Sequence, residues 1–322
     1  MKKGFTLIEL LMVIALIAIV STLAVVKVGG IREVSARKVS LANQVQTGRA
    51  VDSFMTLNDG RINRLDSLID DEVGLQGGNG FYDVAGTSMS KTGPGFYMGP
   101  DDQGFPLSET LAEKDSGLTP NLVNNVFLPY SLSKAEVYAM NNRGFRIVMR
   151  HTTYANSSPR EMYGEKGDDG AYLTEDKSVG MDPVRSACIP RALTNGMVVA
   201  AISPFTPLGR RIYRECGVQL LDTHETAAQY RSAEAEVLTE LAAAGGPLFA
   251  FGLGTDSSVV GSLRGGLDIE PYATYPNRKF YNRFILLFRV STSTNAGLVE
   301  FAGVIDPCGN TVRMAREAID SL

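Results

Sequence analysis

Hydrophobic residues are spread unevenly along the chain. From Phe5 to Val26 it reads FTLIELLMVIALIAIVSTLAVV, with Glu9 the only charge and no Pro or Gly. As a helix this run spans roughly 33 Å at about 1.5 Å per residue, enough to cross a hydrocarbon core of about 30 Å. It is longer than the apolar region of a secretory signal and lacks a small-x-small cleavage site. A buried core helix does not account for the Met1-Lys2-Lys3 start or for the missing polar face. An uncleaved signal anchor accounts for the length but not for Glu9. A carboxylate costs up to about 2.5–3.5 kcal/mol at mid-bilayer and less near an end, so a lone acid there asks for a partner.

Beyond the run, Gly29-Gly30 interrupts the helical pattern at up to about 1 kcal/mol each relative to Ala. Helical spacing then resumes: Ile31, Val34, Leu41 and Val45 share one arc, with Arg32, Glu33 and Lys38 largely off it. The pattern predicts helix to about Leu57, stopped by Asn58-Asp59-Gly60. Residues 5–57 would form a rod of roughly 80 Å, with 5–26 in lipid and 27–57 a stalk packed on a head of residues 58–322.

Turn signals crowd the glycine-rich stretch 74–106 and mark it as a loop-rich insertion. Ser133-Lys134-Ala135-Glu136 is a capping-box pattern for a short helix that stops near Asn141–Gly144. Phe145, Ile147 and Met149 alternate as in a half-buried strand, and 197–202 reads as a buried one. A helix is predicted from about Thr223 to Ala244, closed by Gly245-Gly246-Pro247. Strands are predicted over 248–253, 280–290 and 298–305, the last two joined by a hairpin connection at 291–297. Val312, Ala315, Ile319 and Leu322 fall on one face of a C-terminal helix. These elements predict an α+β head with a mainly antiparallel sheet.

Composition narrows the function classes. The chain has 322 residues, 31 basic and 35 acidic side chains and a formal charge of −4, and 44% hydrophobic content excludes disorder as the main state. Nucleic acid is an unsuitable partner for an acidic chain. Two histidines and three cysteines leave little for metal clusters or a disulfide-dense scaffold.

Met1-Lys2-Lys3-Gly4 followed by Phe5-Thr6-Leu7-Ile8-Glu9-Leu10-Leu11 resembles the class III signal of type IV pilins and type II secretion pseudopilins. The resemblance implies that a prepilin peptidase cuts between Gly4 and Phe5, removing the leader 1–4, and that Phe5 is then N-methylated. It implies that Glu9 compensates the terminal ammonium of a neighbouring subunit during assembly. It further implies a pilin-like architecture, with a long N-terminal helix carrying a globular head. Its partners would be other pilin or pseudopilin subunits, an inner-membrane assembly platform and membrane lipid. Lys2 and Lys3 on one side and Lys27, Arg32, Arg37 and Lys38 on the other leave orientation open by charge. The resemblance implies a cytoplasmic N-terminus, a single pass through the inner membrane and the head outside, free or assembled in a periplasmic or extracellular filament. The expected role is a structural subunit of a secretion pseudopilus or type IV pilus-like filament. The alternatives are a minor pilin with an adhesive or ligand-binding head and, less favoured, a membrane-tethered enzyme.

Asp306-Pro307-Cys308-Gly309-Asn310 resembles the Asp-Pro-Trp-Gly-Asn turn near the C-terminus of major pseudopilins, with Cys308 in place of the Trp and Thr311-Val312 in place of Pro-Tyr. A tight turn after a strand explains the pentapeptide equally well. The acidic cluster Glu165, Asp168, Asp169, Glu175 and Asp176 fails the EF-hand spacing and reads as a solvated loop. Cys188, Cys216 and Cys308 allow one bridge, and a Cys188–Cys216 pair would contribute roughly 3–4 kcal/mol. His151 and His224 sit in no metal-binding spacing, and Gly252-Leu253-Gly254 lacks the rest of a dinucleotide fingerprint. No catalytic residue, cofactor or metal is therefore expected.

Overall fold

The computed structural model describes residues 34–70, 81–82, 89–90, 95–96, 121–151, 188–254, 256–262, 265–268, 283–292 and 298–321. The leader, the apolar run 5–26 and most of the stretch 74–106 lie outside them. Among the described residues no helix is long and apolar enough to cross a membrane.

Twelve strands are described: β1 (Leu65–Asp66), β2 (Ile69–Asp70), β3 (Phe81–Tyr82), β4 (Met89–Ser90), β5 (Gly95–Phe96), β6 (Phe127–Ser131), β7 (Ile147–His151), β8 (Cys188–Ala192), β9 (Val198–Ile202), β10 (Leu248–Gly252), β11 (Ile285–Ser291) and β12 (Leu298–Ile305). Eight form one sheet in the order β12-β11-β10-β1-β7-β8, with β9 also on β10 and β6 on β9. The sheet forks at β10: Phe249 and Ala250 pair with β9, while Gly252 pairs with Asp66 of β1. Only β1–β7 is parallel among these pairs. The result is α+β, with a mixed sheet in which antiparallel pairing predominates. Two short pairs, β2–β5 and β3–β4, stand apart from it.

Period-two alternation along the central strands sorts their side chains into two cores. Phe249, Phe251, Leu286, Phe288 and Val290 face one way and Leu248, Ala250, Ile285 and Leu287 the other. On the first face lie Val51, Phe54 and Met55 of the helix at 34–57, with Val137 and Met140 of the helix Lys134–Asn142. On the second lie Ile212 and Tyr213 of the helix Pro207–Glu215 and Met314 of the helix Val312–Asp320. Helices therefore cover both faces of the sheet, which is why its central strands are apolar on both sides.

The stalk helix ends at 57, where Asn58 donates through both its backbone N–H and its side chain to the Phe54 carbonyl. Asp59 and Gly60 follow at positive φ, turning the chain towards β1. The buried stripe of this helix is not the expected arc. Ser40, Gln44, Thr47, Val51, Phe54 and Met55 are buried, whereas Val34, Leu41 and Val45 are only half-buried and Ile31 lies outside the described residues. Of these polar residues Gln44 reaches two backbone carbonyls of the head, while Thr47 donates back to the Asn43 carbonyl of its own helix.

Two further expectations need correction, and one helix had none. The helix anticipated over 223–244 is two helices, Ala227–Ser232 and Glu234–Ala243. Ser232 Oγ donates to the Gln229 carbonyl, the acceptor that Ala233 N–H would otherwise hold alone, and the helix breaks at Ala233. The C-terminal helix buries Met314 most deeply, with Val312, Ala315 and Ile319 half-buried beside it and Leu322 outside the described residues. The helix Pro207–Glu215 was not anticipated, although Thr206 caps it by accepting from Gly209 N–H and Pro207 occupies its first turn.

Candidate functional site

Gly4 and Phe5, expected at the cleavage site, and Glu9, expected in assembly, lie outside the described residues. What the structure describes is the junction where the stalk meets the head.

The junction is built on the turn 306–310 that follows β12. Asp306 Oδ1 accepts from the backbone N–H groups of Cys308 at 2.9 Å and Asn310 at 2.7 Å, and Oδ2 accepts from Asn310 Nδ2 at 3.1 Å. Asp306 N–H donates to the Asn310 carbonyl and Gly309 N–H to the Asp306 carbonyl, both at 2.9 Å. Gly309 has φ of 86°, and a Cβ there would lie 2.7 Å from the Val126 side chain, so glycine is required twice over. Burial pushes the Asp306 carboxyl above the ordinary range, and the donors from Asn310, Cys308 and Gly309 pull it back. Both carboxylate oxygens are thus engaged within the turn, and Asp306 acts as its organiser. Among the described residues no three His, Cys, Asp or Glu side chains are gathered to hold a metal ion.

The turn grips the stalk. Gln44 Nε2 donates to the carbonyls of Val304 and Asn310, each at 2.9 Å, across 260 and 266 residues of sequence. Asn121 Nδ2, ahead of β6, donates to the Cys308 carbonyl at 2.7 Å. One latch therefore joins the stalk helix, the outer strand of the sheet and the segment entering β6. At Gly48 a Cβ would make only an ordinary contact with the Val304 side chain, at 3.6 Å.

Cys308 and Cys216 are both free thiols, so the Cys188–Cys216 bridge considered above is absent. Burial pushes both thiols up to about 12, with the negative charge of Asp306 adding to it at Cys308 and that of Glu215 at Cys216. At neutral pH both are protonated and unreactive.

Two buried arginines escaped sequence reasoning. Arg210, on the helix Pro207–Glu215, has a fully buried side chain paired with Glu240 at 2.7 Å. It also donates to the carbonyls of Pro204 and Leu221 and lies 4.4 Å from the centroid of the Tyr230 ring. It thereby pins together the three helices inserted between the paired strands β9 and β10. Arg283 pairs with Asp66 at 3.1 Å where the sheet forks, both side chains buried. Gly254 is glycine because the Asp66 carboxylate occupies the place of a Cβ; that packing accounts for it without a nucleotide. The only hint of the first site was Thr206-Pro207; nothing in the local pattern marks a core arginine. His151 ends β7, and His224 packs edge-on to Tyr230 at 5.1 Å. The acidic cluster 165–176 lies outside the described residues.

Residues 1–25 match the family described as the prokaryotic N-terminal methylation motif, the prepilin signal of type IV pilins and pseudopilins. Gly4, Phe5 and Glu9 fall within the matched residues. Such a signal implies processing by a prepilin peptidase, pilin-type assembly and association with a membrane. Neither the curated proteins nor the solved structures compared with the chain gave a match.

Proposed function

We propose that the chain is a non-catalytic structural subunit of a type II secretion pseudopilus or type IV pilus-like filament. In this reading the peptidase cuts between Gly4 and Phe5, the run 5–26 anchors the subunit in the inner membrane, and Glu9 neutralises the Phe5 ammonium of a neighbour. The observation that carries the reading is the methylation motif at residues 1–25. The junction supports it, because a subunit assembled through its helix must transmit load from stalk to head. Gln44 and the turn 306–310 tie the helix to the outer strand, and Val51 and Phe54 embed it in the core.

Glu9→Gln tests the role in assembly. The substitution keeps size and hydrogen bonding but leaves the partner ammonium unpaired in a low-dielectric setting. Membrane insertion should be unchanged or slightly easier, and cleavage after Gly4 should persist. Crosslinking in membranes should give monomers where the wild type gives ladders; ladders matching the wild type would return the segment to the role of a plain anchor.

A further inference from the structure

On the face of the sheet opposite the stalk lies a half-open cleft of about 900 Å³. Two helices form its walls and each presents an Arg-x-x-Arg pair to it: Arg211 and Arg214 from Pro207–Glu215, Arg313 and Arg316 from Val312–Asp320. Positions three apart share a helix face, so both pairs converge on the space between. The floor is β12 at an irregularity. Leu287 pairs with Gly303 and Phe288 with Phe301, which leaves Ala302 as the extra residue of a β-bulge. A Cβ on Gly303 would lie 3.4 Å from Cys216 Sγ.

The charges in the cleft are only partly compensated. Arg211 pairs with Glu215 at 3.1 Å and also with Glu317, which Arg313 shares at 3.1 Å; Arg214 pairs with Asp222. Glu317 and Asp222 are half-exposed, so water already competes for them. Arg316 is exposed and has no ion pair among the described residues. The chain carries a formal charge of −4 overall, whereas here the four arginines outnumber by one the carboxylates paired with them, Glu215, Glu317 and Asp222.

We propose that this cleft binds an acidic peptide segment of a partner protein, whose side-chain carboxylates bridge the two arginine pairs. The internal pairs show the chemistry on a small scale: a guanidinium fork matches a carboxylate in a planar, directional way. Glu317 and Asp222 occupy the arginines as exchangeable carboxylates from the chain itself. A peptide is favoured over a small oxyanion because the guanidinium groups are spread along two helices. Carboxylates spaced along a chain can meet both pairs, whereas one phosphate meets one. The site lies on the opposite face of the sheet from the stalk helix, and the proposal does not depend on the filament reading.

The test uses the full chain in detergent micelles and a fluorescently labelled hexaglutamate peptide, with binding followed by anisotropy at low salt. Saturable binding is expected, and R313Q/R316Q should weaken it at least tenfold with an unchanged melting temperature. Lys134→Gln, an exposed cation on the other face of the sheet, should leave it unchanged. Glu317→Gln should tighten it several-fold by releasing Arg211 and Arg313 from the internal carboxylate, an effect that a purely structural role for Glu317 would not produce. Absence of saturable binding, wild-type affinity in R313Q/R316Q, or weaker binding in Glu317→Gln would overturn the proposal. Inorganic phosphate displacing the peptide as fully as unlabelled hexaglutamate would overturn it too, in favour of a small oxyanion.

Discussion

The two halves of the stalk helix meet the head by different physics. Around Ser40, Gln44 and Thr47 the buried stripe is polar, and its grip is directional: one side-chain amide on two backbone carbonyls. Around Val51, Phe54 and Met55 the stripe is apolar and joins the larger core beneath β10 and β11. Apolar burial supplies most of the free energy but tolerates small slides, whereas a paired hydrogen bond is lost when the helix moves by a fraction of a turn. The apolar half therefore holds the helix in the head, and the polar half sets its rotation and height.

Phe54→Ala attacks the apolar half and should have the largest effect. Removing a buried ring costs about 3–5 kcal/mol, visible in thermal or denaturant unfolding as a loss of the whole head. Gln44→Leu attacks the polar half. It preserves approximate volume but removes both bonds: the Asn310 carbonyl keeps the Asp306 N–H, while the buried Val304 carbonyl loses its side-chain donor, so a loss of about 1–3 kcal/mol in denaturant unfolding is expected. If Gln44→Leu destabilised more than Phe54→Ala, the division of labour would be reversed.

Asp306→Asn probes the latch through pH. Because burial raises the Asp306 carboxyl above its unfolded value, the folded state holds its proton to higher pH than the unfolded state does. Its contribution is then present at low pH and is lost as pH rises through the raised value. Asparagine does not titrate, so the destabilisation by Asp306→Asn, of the order of 1 kcal/mol, should be larger near pH 4 than near pH 7. Paired melts at the two pH values check the sign.

The smallest effect is kinetic. Cys308 sits in the latch and Cys216 beneath the opposite face, and both thiols lie near 12. Alkylation at pH 8 should be slow at both and fast after unfolding. Gln44→Leu should accelerate modification of Cys308 more than that of Cys216, because it loosens the latch first. Equal acceleration would mean that the two halves open together.

Legibility followed the locality of each signal. The motif at the N-terminus is read from residue types at fixed offsets, and Gly4, Phe5 and Glu9 need no tertiary knowledge. Strand β12 was legible to the residue because alternation and the turn 306–310 bound it. The capping box at Ser133 and Glu136 was legible for the same reason. The polar half of the stalk was not. Hydrophobic periodicity pointed to Leu41 and Val45, whereas Gln44 is buried because its acceptors lie 260 and 266 residues away. Arg210 reads in sequence like any surface arginine, and its partners come from a loop and from two other helices. The break at Ala233 has no Gly or Pro to announce it, only a serine hydroxyl competing for a carbonyl. The arginine pairs of the cleft are separated by about a hundred residues, and only the fold brings them to one space.

We propose that the apolar N-terminal run is a processed prepilin segment rather than a plain anchor. Mass spectrometry of the N-terminus of chain extracted from membranes with active prepilin peptidase tests this most directly. The mature chain should begin at N-methylated Phe5, with residues 1–4 removed. An intact Met1, or a cut near residue 26, would contradict it.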